Sequence, residues 1–101
     1  MMRDLTETKD QIKVGIEKAV RGEHDKWQIG ITNDLEARRA EHKTKGHATK
    51  DWTWWQAKSL EDAREIENYY INEKKPGKKM KGGTGGDLEN TSVFVYIFLA
   101  R

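Results

Sequence analysis

The strongest constraint on the fold of this chain is a run of eight consecutive apolar residues near its carboxyl end, Val93 to Ala100. The run is far shorter than the ~20 residues that a membrane-spanning helix needs. Most of its residues are β-branched or aromatic, and no polar residue alternates with them, which is typical of a strand buried on both faces. The sequence therefore predicts that residues 92–100 form the central strand of a small sheet.

Length and composition predict one domain over residues 1–101. The chain has 101 residues, of which 36% are charged, and no cysteine. A chain of this size buries a modest core, and without cysteine it has neither disulfides nor thiolate metal centres, which fits a reducing compartment. No segment resembles a signal peptide or a membrane span, so we expect a cytoplasmic protein with no membrane partner. The sequence carries no signal for an oligomeric state.

Hydrophobic periodicity and capping residues predict the remaining elements. The spacing predicts helices over residues 5–20, 35–44 and 60–74, and strands over residues 26–32 and 52–58. The expected fold class is thus a small α/β (α+β) domain with a three-stranded, largely antiparallel sheet flanked by helices. Gly30 interrupts the first of these strands, which indicates that another group approaches its backbone closely.

Two helices carry polar side chains at positions where apolar ones are expected. Glu67 lies in the inward arc of the helix over 60–74, so it either pairs with a cation or a metal, or lies at the rim of a site. An edge glutamate in a salt bridge is an equally good interpretation. On the preceding helix, Arg38, Arg39 and His42 continue the apolar stripe, and a solvated basic face is the simpler interpretation of that pattern.

Charge is distributed unevenly along the chain. The net charge of +2 does not by itself indicate a nucleic-acid partner. One stretch without acidic residues, however, contains a lysine cluster: Lys74, Lys75, Lys78, Lys79 and Lys81. The glycine-rich loop that follows, Gly82 to Gly86, lacks the Lys-Ser/Thr ending of a P-loop, so an ATP site is not expected.

The segment from Gln28 to His42 resembles the second half of the signature motif of the GIY-YIG endonucleases. Its strand glycine, its Thr-Asn-Asp-Leu turn, Arg38 and His42 fall at the family's intervals, and Glu67 matches the family's helix glutamate. The resemblance covers residues 27–71. The chain is also similar to small bacterial and phage proteins that share a Gly-Ile-Thr-Asn segment, a glycine-rich loop and a Val-Tyr ending.

Two features depart from the family motif. Gln28 stands where the motif has a tyrosine, and no Gly-Ile-Tyr strand precedes residue 27. The termini of compact domains usually lie close together, and a sheet needs strand adjacency more than chain order. We therefore expect a circular permutation, in which the tail strand with its central Tyr96 takes the place of the missing strand.

The resemblance implies a DNA endonuclease that hydrolyses phosphodiester bonds with one divalent cation, Mg²⁺ or Mn²⁺. It implies that Glu67 binds the metal, that Arg38 stabilises the phosphate charge and that Tyr96 helps to activate water. Each role suits the chemistry of its side chain, because a carboxylate is a hard ligand that Mg²⁺ accepts and a guanidinium binds phosphate through two parallel hydrogen bonds.

The same resemblance implies lesser catalytic roles for two further residues and a DNA partner. His42 is expected to move a proton, and Gln28 to orient water or phosphate, because an amide does not titrate. DNA is expected to bind at Arg39 and the lysine cluster. Loss of the motif tyrosine to Gln28 leaves a second interpretation open, a catalytically degenerate module that binds nucleic acid or a protein partner.

Overall fold

The computed structural model describes residues 6–46, 51–73, 79–82, 88 and 92–99. In chain order these residues form β1 (Thr6–Glu7), α1 (Lys9–Val20), a 3-10 turn (His24–Lys26), β2 (Trp27–Thr32), α2 (Leu35–Thr44), β3 (Thr53–Ala57), α3 (Leu60–Asn68), a π-helical turn (Tyr69–Glu73) and β4 (Val93–Leu99). None of the helices in this described part is long and apolar enough to cross a membrane. The bounds of β2, β3 and β4 each lie within one residue of the predicted strands.

The four strands form one mixed sheet in the order β1-β3-β4-β2. The tail strand β4 is antiparallel to both β2 and β3 and lies between them, so the prediction of a central tail strand is confirmed. Val93, Val95, Ile97 and Phe98 are all fully buried, as its unbroken apolar run requires.

The prediction of a three-stranded sheet is incomplete, because β1 adds a fourth strand parallel to β3. The helix predicted from residue 5 begins only at Lys9, since Thr8 and Gln11 form a capping box. The Gln11 N–H donates to the Thr8 hydroxyl at 3.1 Å and the Thr8 N–H donates to the Gln11 side chain at 2.8 Å. The cap sets the start of the helix at Lys9 and leaves Thr6–Glu7 extended, where this segment pairs with β3.

The other two helices begin at the predicted caps. The Asp34 side chain accepts from the Ala37 N–H at 3.0 Å, and the Ser59 hydroxyl accepts from the Asp62 N–H at 3.1 Å. The helix predicted over 60–74 is α-helical only to Asn68 and continues as a π-helical turn. Such a turn widens the helix by one residue and is frequent at functional sites.

The sheet has two different faces. Alternation along β2, β3 and β4 sends one set of side chains towards α1 and α3, where they form the core face: Trp27, Ile29, Ile31, Trp55, Ala57, Val93, Val95 and Ile97. In β2, Gln28 and Gly30 lie opposite the apolar residues Trp27, Ile29 and Ile31. We call the other side the site face; it carries Gln28, Gly30, Thr32, Trp54, Gln56, Phe94, Tyr96 and Phe98.

Packing on the core face explains a glycine in the middle of α1. A Cβ atom at Gly15 would lie 2.6 Å from Nε1 of the Trp55 indole. The glycine thus weakens the helix locally, but it lets α1 approach β3 with the large Trp55 ring between them.

A short segment from Lys79 to Gly82 covers the outer edge of β2. The Ile29 N–H donates to the Lys81 carbonyl at 2.8 Å, and the Lys81 N–H donates to the Trp27 carbonyl at 2.9 Å. Lys79 and Lys81 are exposed. The predicted DNA-binding residues Lys74, Lys75 and Lys78, and most of the glycine-rich loop, lie outside the described residues.

Candidate functional site

Gly30 allows the Tyr96 side chain to lie across β2. The two residues are direct partners in the β2–β4 ladder, and a Cβ atom at Gly30 would overlap both the ring and the hydroxyl of Tyr96. The expectation that a group approaches this glycine closely is confirmed, and the group is the tyrosine of the tail strand. The position of the phenol therefore depends on a missing side chain on the neighbouring strand.

Gly30→Ala is expected to destabilise the protein by about 1–3 kcal/mol, the usual cost of overpacking a filled site. In an unobstructed strand the same change stabilises slightly, because glycine is a poor strand former. Urea unfolding of Gly30→Ala, Tyr96→Ala and the double variant measures the effect as a double-mutant cycle. Gly30→Ala should lower the free energy of unfolding only slightly in the Tyr96→Ala background. An equal loss of stability in both backgrounds would contradict the proposed overlap.

The Tyr96 hydroxyl is bound to His42 of α2, with 2.9 Å between the oxygen and Nε2. His42 is 6% exposed and its ring packs against Phe98, with 4.8 Å between the ring centres. The interpretation of Arg38, Arg39 and His42 as a solvated basic face is therefore wrong for His42. Aromatic rings of the tail strand provide the apolar surface that buries it.

The pKa of the Tyr96 phenol is raised to about 12, mainly by burial, with the charge of Arg38 opposing the shift and those of Glu67 and Glu41 adding to it. At neutral pH the phenol accordingly keeps its proton. The hydroxyl can then donate to Nε2 of a neutral His42 imidazole, so the pair forms a ready path for a proton.

The positive charge of Arg38 affects two other predicted site residues, Tyr96 and Glu67. Its side chain is 26% exposed and lies 3.5 Å from Glu41, measured from Nη1 to Oε2. Its positive charge also lowers the pKa of both Tyr96 and Glu67. The guanidinium therefore acts through its charge on a phenol and a carboxylate that come from two other segments of the chain.

Glu67 carries a buried oxygen that has no hydrogen-bond partner in the described part of the chain, its Oε2. Burial raises the pKa of its carboxyl group, while the charges of Arg64 and Arg38 partly oppose the shift. The helix α3 packs on the core face of the sheet, whereas the ring of Tyr96 lies on the site face. The charge of Glu67 nevertheless raises the pKa of the Tyr96 phenol. A cation beside Oε2 would compensate the burial of this carboxylate.

Gln28 and Arg39 lie farther from the Tyr96 hydroxyl. Gln28 is on the neighbouring strand, opposite Phe98, so it is a diagonal neighbour of Tyr96 on the same face. On its other side it forms a parallel bridge with Lys81. The Arg39 guanidinium is 5.7 Å from the centre of the Trp52 ring, the distance of a cation–π contact.

Tyr96, which the resemblance makes a water-activating residue, is covered from solvent and is only 3% exposed. The Trp52 ring stacks on the Tyr96 ring with 4.6 Å between the centres and 13° between the planes. Trp52 was not among the predicted site residues. The only sequence signal for it is the alternation of residues 52, 54 and 56, which places all three on the site face.

A surface pocket lies elsewhere, along the outer side of α3, and contains none of the predicted site residues. It is lined by Ser59, Leu60, Glu61, Arg64, Glu65 and Asn68. Most of its groups are exposed side chains of one helix, so we place the candidate site at the buried pair of His42 and Tyr96 and at Arg38 and Glu67, whose charges act on that phenol.

In the part of the chain that the structure describes, this site offers a cation one buried carboxylate, that of Glu67. Within the described residues no group of three or more His, Asp or Glu side chains is arranged to hold a metal ion. Glu67 is a single hard ligand with a buried oxygen available for a cation. One or two carboxylates, with waters and substrate phosphate completing the shell, are the usual environment of Mg²⁺ in proteins.

Comparison of the chain with protein-family models, with curated proteins and with solved structures gives no match. The function is accordingly inferred from the chemistry of the site.

Proposed function

We propose that this protein is a metal-dependent endonuclease that hydrolyses DNA phosphodiester bonds. The observation that carries the proposal is a set of four groups from three segments: the hydrogen-bonded pair of His42 and Tyr96, with Arg38 and Glu67, whose charges act on the pKa of Tyr96. An ordinary core does not need a buried imidazole–phenol pair beside a guanidinium and a buried carboxylate. The permuted GIY-YIG resemblance, with Tyr96 on the strand next to Gly30, agrees with the same assignment.

In this proposal each side chain has a role in catalysis that follows from its chemistry. Arg38 binds the phosphate and stabilises the negative charge that builds up as the bond is cleaved. Tyr96 takes a proton from the attacking water while its own proton passes to Nε2 of His42, so no free phenolate is needed despite its high pKa. Gln28 orients the water or a phosphate oxygen through its amide.

Glu67 is the metal ligand in this proposal. A bound Mg²⁺ or Mn²⁺ supplies Lewis-acid stabilisation of the phosphate and leaving oxygens. The Glu67 carboxylate would hold the cation, and the positive charge would offset the cost of burying an ionised group whose Oε2 has no hydrogen bond in the described part of the chain.

The direct test is incubation of the pure protein with duplex, branched and single-stranded DNA in Mg²⁺ or Mn²⁺, beside the Glu67→Ala and Glu67→Gln variants. We expect cleavage by the native protein and a loss of about 10²-fold or more in both variants, in line with the loss of a group that acts only in the transition state. Cleavage that is unaffected by either variant would assign the activity to another site or to a contaminant.

Stability separates a catalytic loss from misfolding. Since burial raises the pKa of Glu67 in the folded state, ionisation costs stability above the pKa of the unfolded chain, and that cost disappears when acid protonates the group. Glu67→Gln should therefore be more stable than the native protein at neutral pH, and the difference should shrink towards pH ~4. Added Mg²⁺ should raise the melting temperature of the native protein and not that of Glu67→Gln.

A second function is a nucleic-acid-binding or protein-binding module that has lost catalysis. Two observations favour it: the amide of Gln28 where the family motif has a phenol, and the burial of Tyr96 beneath Trp52. Gain of cleavage by Gln28→Tyr would identify a decayed nuclease site, because the change restores the missing phenol. DNA binding without cleavage by both proteins would favour the binding role.

A further inference from the structure

We propose that the site face carries a stacking platform for an unpaired nucleobase, built on Trp54, which selects nucleic acids with a single-stranded nucleotide next to the phosphate at Arg38. The inference rests on the proposed function, because both place a nucleic acid on the site face. Stacking on an aromatic side chain is how proteins commonly hold single-stranded bases.

Trp54 is exposed in an otherwise well-covered part of the sheet. It is 50% exposed, and in the described part of the chain the other exposed large apolar residue is Val14, on α1. A single exposed apolar side chain is ordinary on a protein surface. Trp54 differs from such a side chain because its ring is held in place. Phe94 meets the indole edge-on, with 5.6 Å between the ring centres and 80° between the planes.

The position of Trp54 relates it to the candidate site. It is the direct ladder partner of Tyr96, which in turn faces Gly30, so Trp54, Tyr96 and Gly30 form one row across three strands. Lys81 lies beyond β2 on the same face, because it bridges Gln28. The distance from β3 to that edge is three strand spacings, ~14 Å. This is the length of a few nucleotides at a rise of ~3.4 Å each.

The charges around this row favour a nucleic acid over an apolar protein surface. Arg39 lies next to the Trp52 ring, and Lys81 is exposed beside Gln28, in the row adjacent to that of Trp54, Tyr96 and Gly30. An apolar partner would bury these cations without compensation, whereas a nucleic-acid strand offers them phosphates and offers Trp54 a base. Cations that alternate with an exposed ring are the combination by which single strands are bound.

The test measures binding separately from cleavage, in buffer containing EDTA, by anisotropy of a labelled oligo(dT) of ~12 nucleotides and a blunt duplex of the same length. Trp54→Ala should weaken oligo(dT) binding by about 5- to 150-fold and duplex binding much less. Trp54→Phe should retain most of the affinity, since it keeps an aromatic face. Val14→Ala is the matched control for loss of an exposed apolar side chain and should change neither affinity.

Two outcomes overturn the proposal: unchanged oligo(dT) binding by Trp54→Ala, or an equal loss for both probes. If that variant instead turns a dimer into a monomer in sedimentation and keeps its oligo(dT) affinity, the platform is a self-association surface. Failure of the proposed function gives a different result. A native protein that binds oligo(dT) through Trp54 but cleaves no DNA with Mg²⁺ or Mn²⁺ refutes the nuclease and supports the platform.

Discussion

Deletion of residues 93–101 is expected to abolish cooperative folding. The strand β4 lies between β2 and β3, so its loss leaves both neighbours without their shared hydrogen-bonding partner. Four of its residues, Val93, Val95, Ile97 and Phe98, are fully buried. At ~1.5–3 kcal/mol for each buried side chain, their loss is comparable with the whole stability of a small domain, ~5–15 kcal/mol.

Circular dichroism and thermal unfolding of the truncated protein check this expectation. A sharp unfolding transition in the truncated chain would contradict the central position of β4 and, with it, the permutation. Phe98→Ala is a graded control, which should cost about 3–5 kcal/mol, the range for truncation of a buried aromatic residue. A synthetic peptide of residues 90–101 added to the truncated protein should restore the native spectrum if strand adjacency, and not chain continuity, is what the sheet needs.

Arg38→Ala is expected to lower the rate of DNA cleavage by about 10²- to 10³-fold, the usual effect of removing a group that stabilises transition-state charge. Two effects of the guanidinium are lost together. It no longer binds the phosphate, and it no longer lowers the pKa of Tyr96 and Glu67. Single-turnover cleavage rates at saturating protein measure the effect on chemistry apart from DNA binding.

Arg38→Lys and Lys18→Ala complete that experiment. Lysine keeps the charge of Arg38 but not the fork of donors that binds phosphate through two parallel bonds, so its rate should lie between those of the native protein and Arg38→Ala. Lys18 is exposed on α1, on the other side of the sheet, and its removal controls for the loss of one positive charge. Equal rates for Arg38→Ala and Lys18→Ala would exclude Arg38 from the reaction.

Local signals predicted the helices and strands well where one short segment carries them. Asp34 and Ser59 mark helix starts because their side chains bind the first backbone N–H groups, a contact within three residues. The same reasoning places the start of α1 too early, because residues 5–8 also fit the helical periodicity. The helix in fact begins at Lys9, after the capping box of Thr8. The strand β1 is not predicted either, since a strand of two residues is too short to show an alternating pattern.

The candidate site was predicted in its members but not in its geometry. Gly30, His42 and Glu67 stood out because each breaks the pattern of its own strand or helix. No sequence pattern indicates that Trp52 covers Tyr96, because an aromatic residue before a strand suits a core and a site equally well. The sequence likewise does not show that Trp54 is exposed, since it is followed by a second tryptophan, Trp55, which packs on the core face.

By itself the sequence determined the elements of this protein and the central place of its tail strand. Those properties follow from periodicity, capping and an unbroken apolar run, all of which act over a few residues. Only the tertiary structure decided that Tyr96 meets His42, a residue 54 positions away, and lies across Gly30. The physical reason is register: a slip of one residue between β2 and β4 would turn every side chain to the opposite face, and no local pattern specifies that pairing.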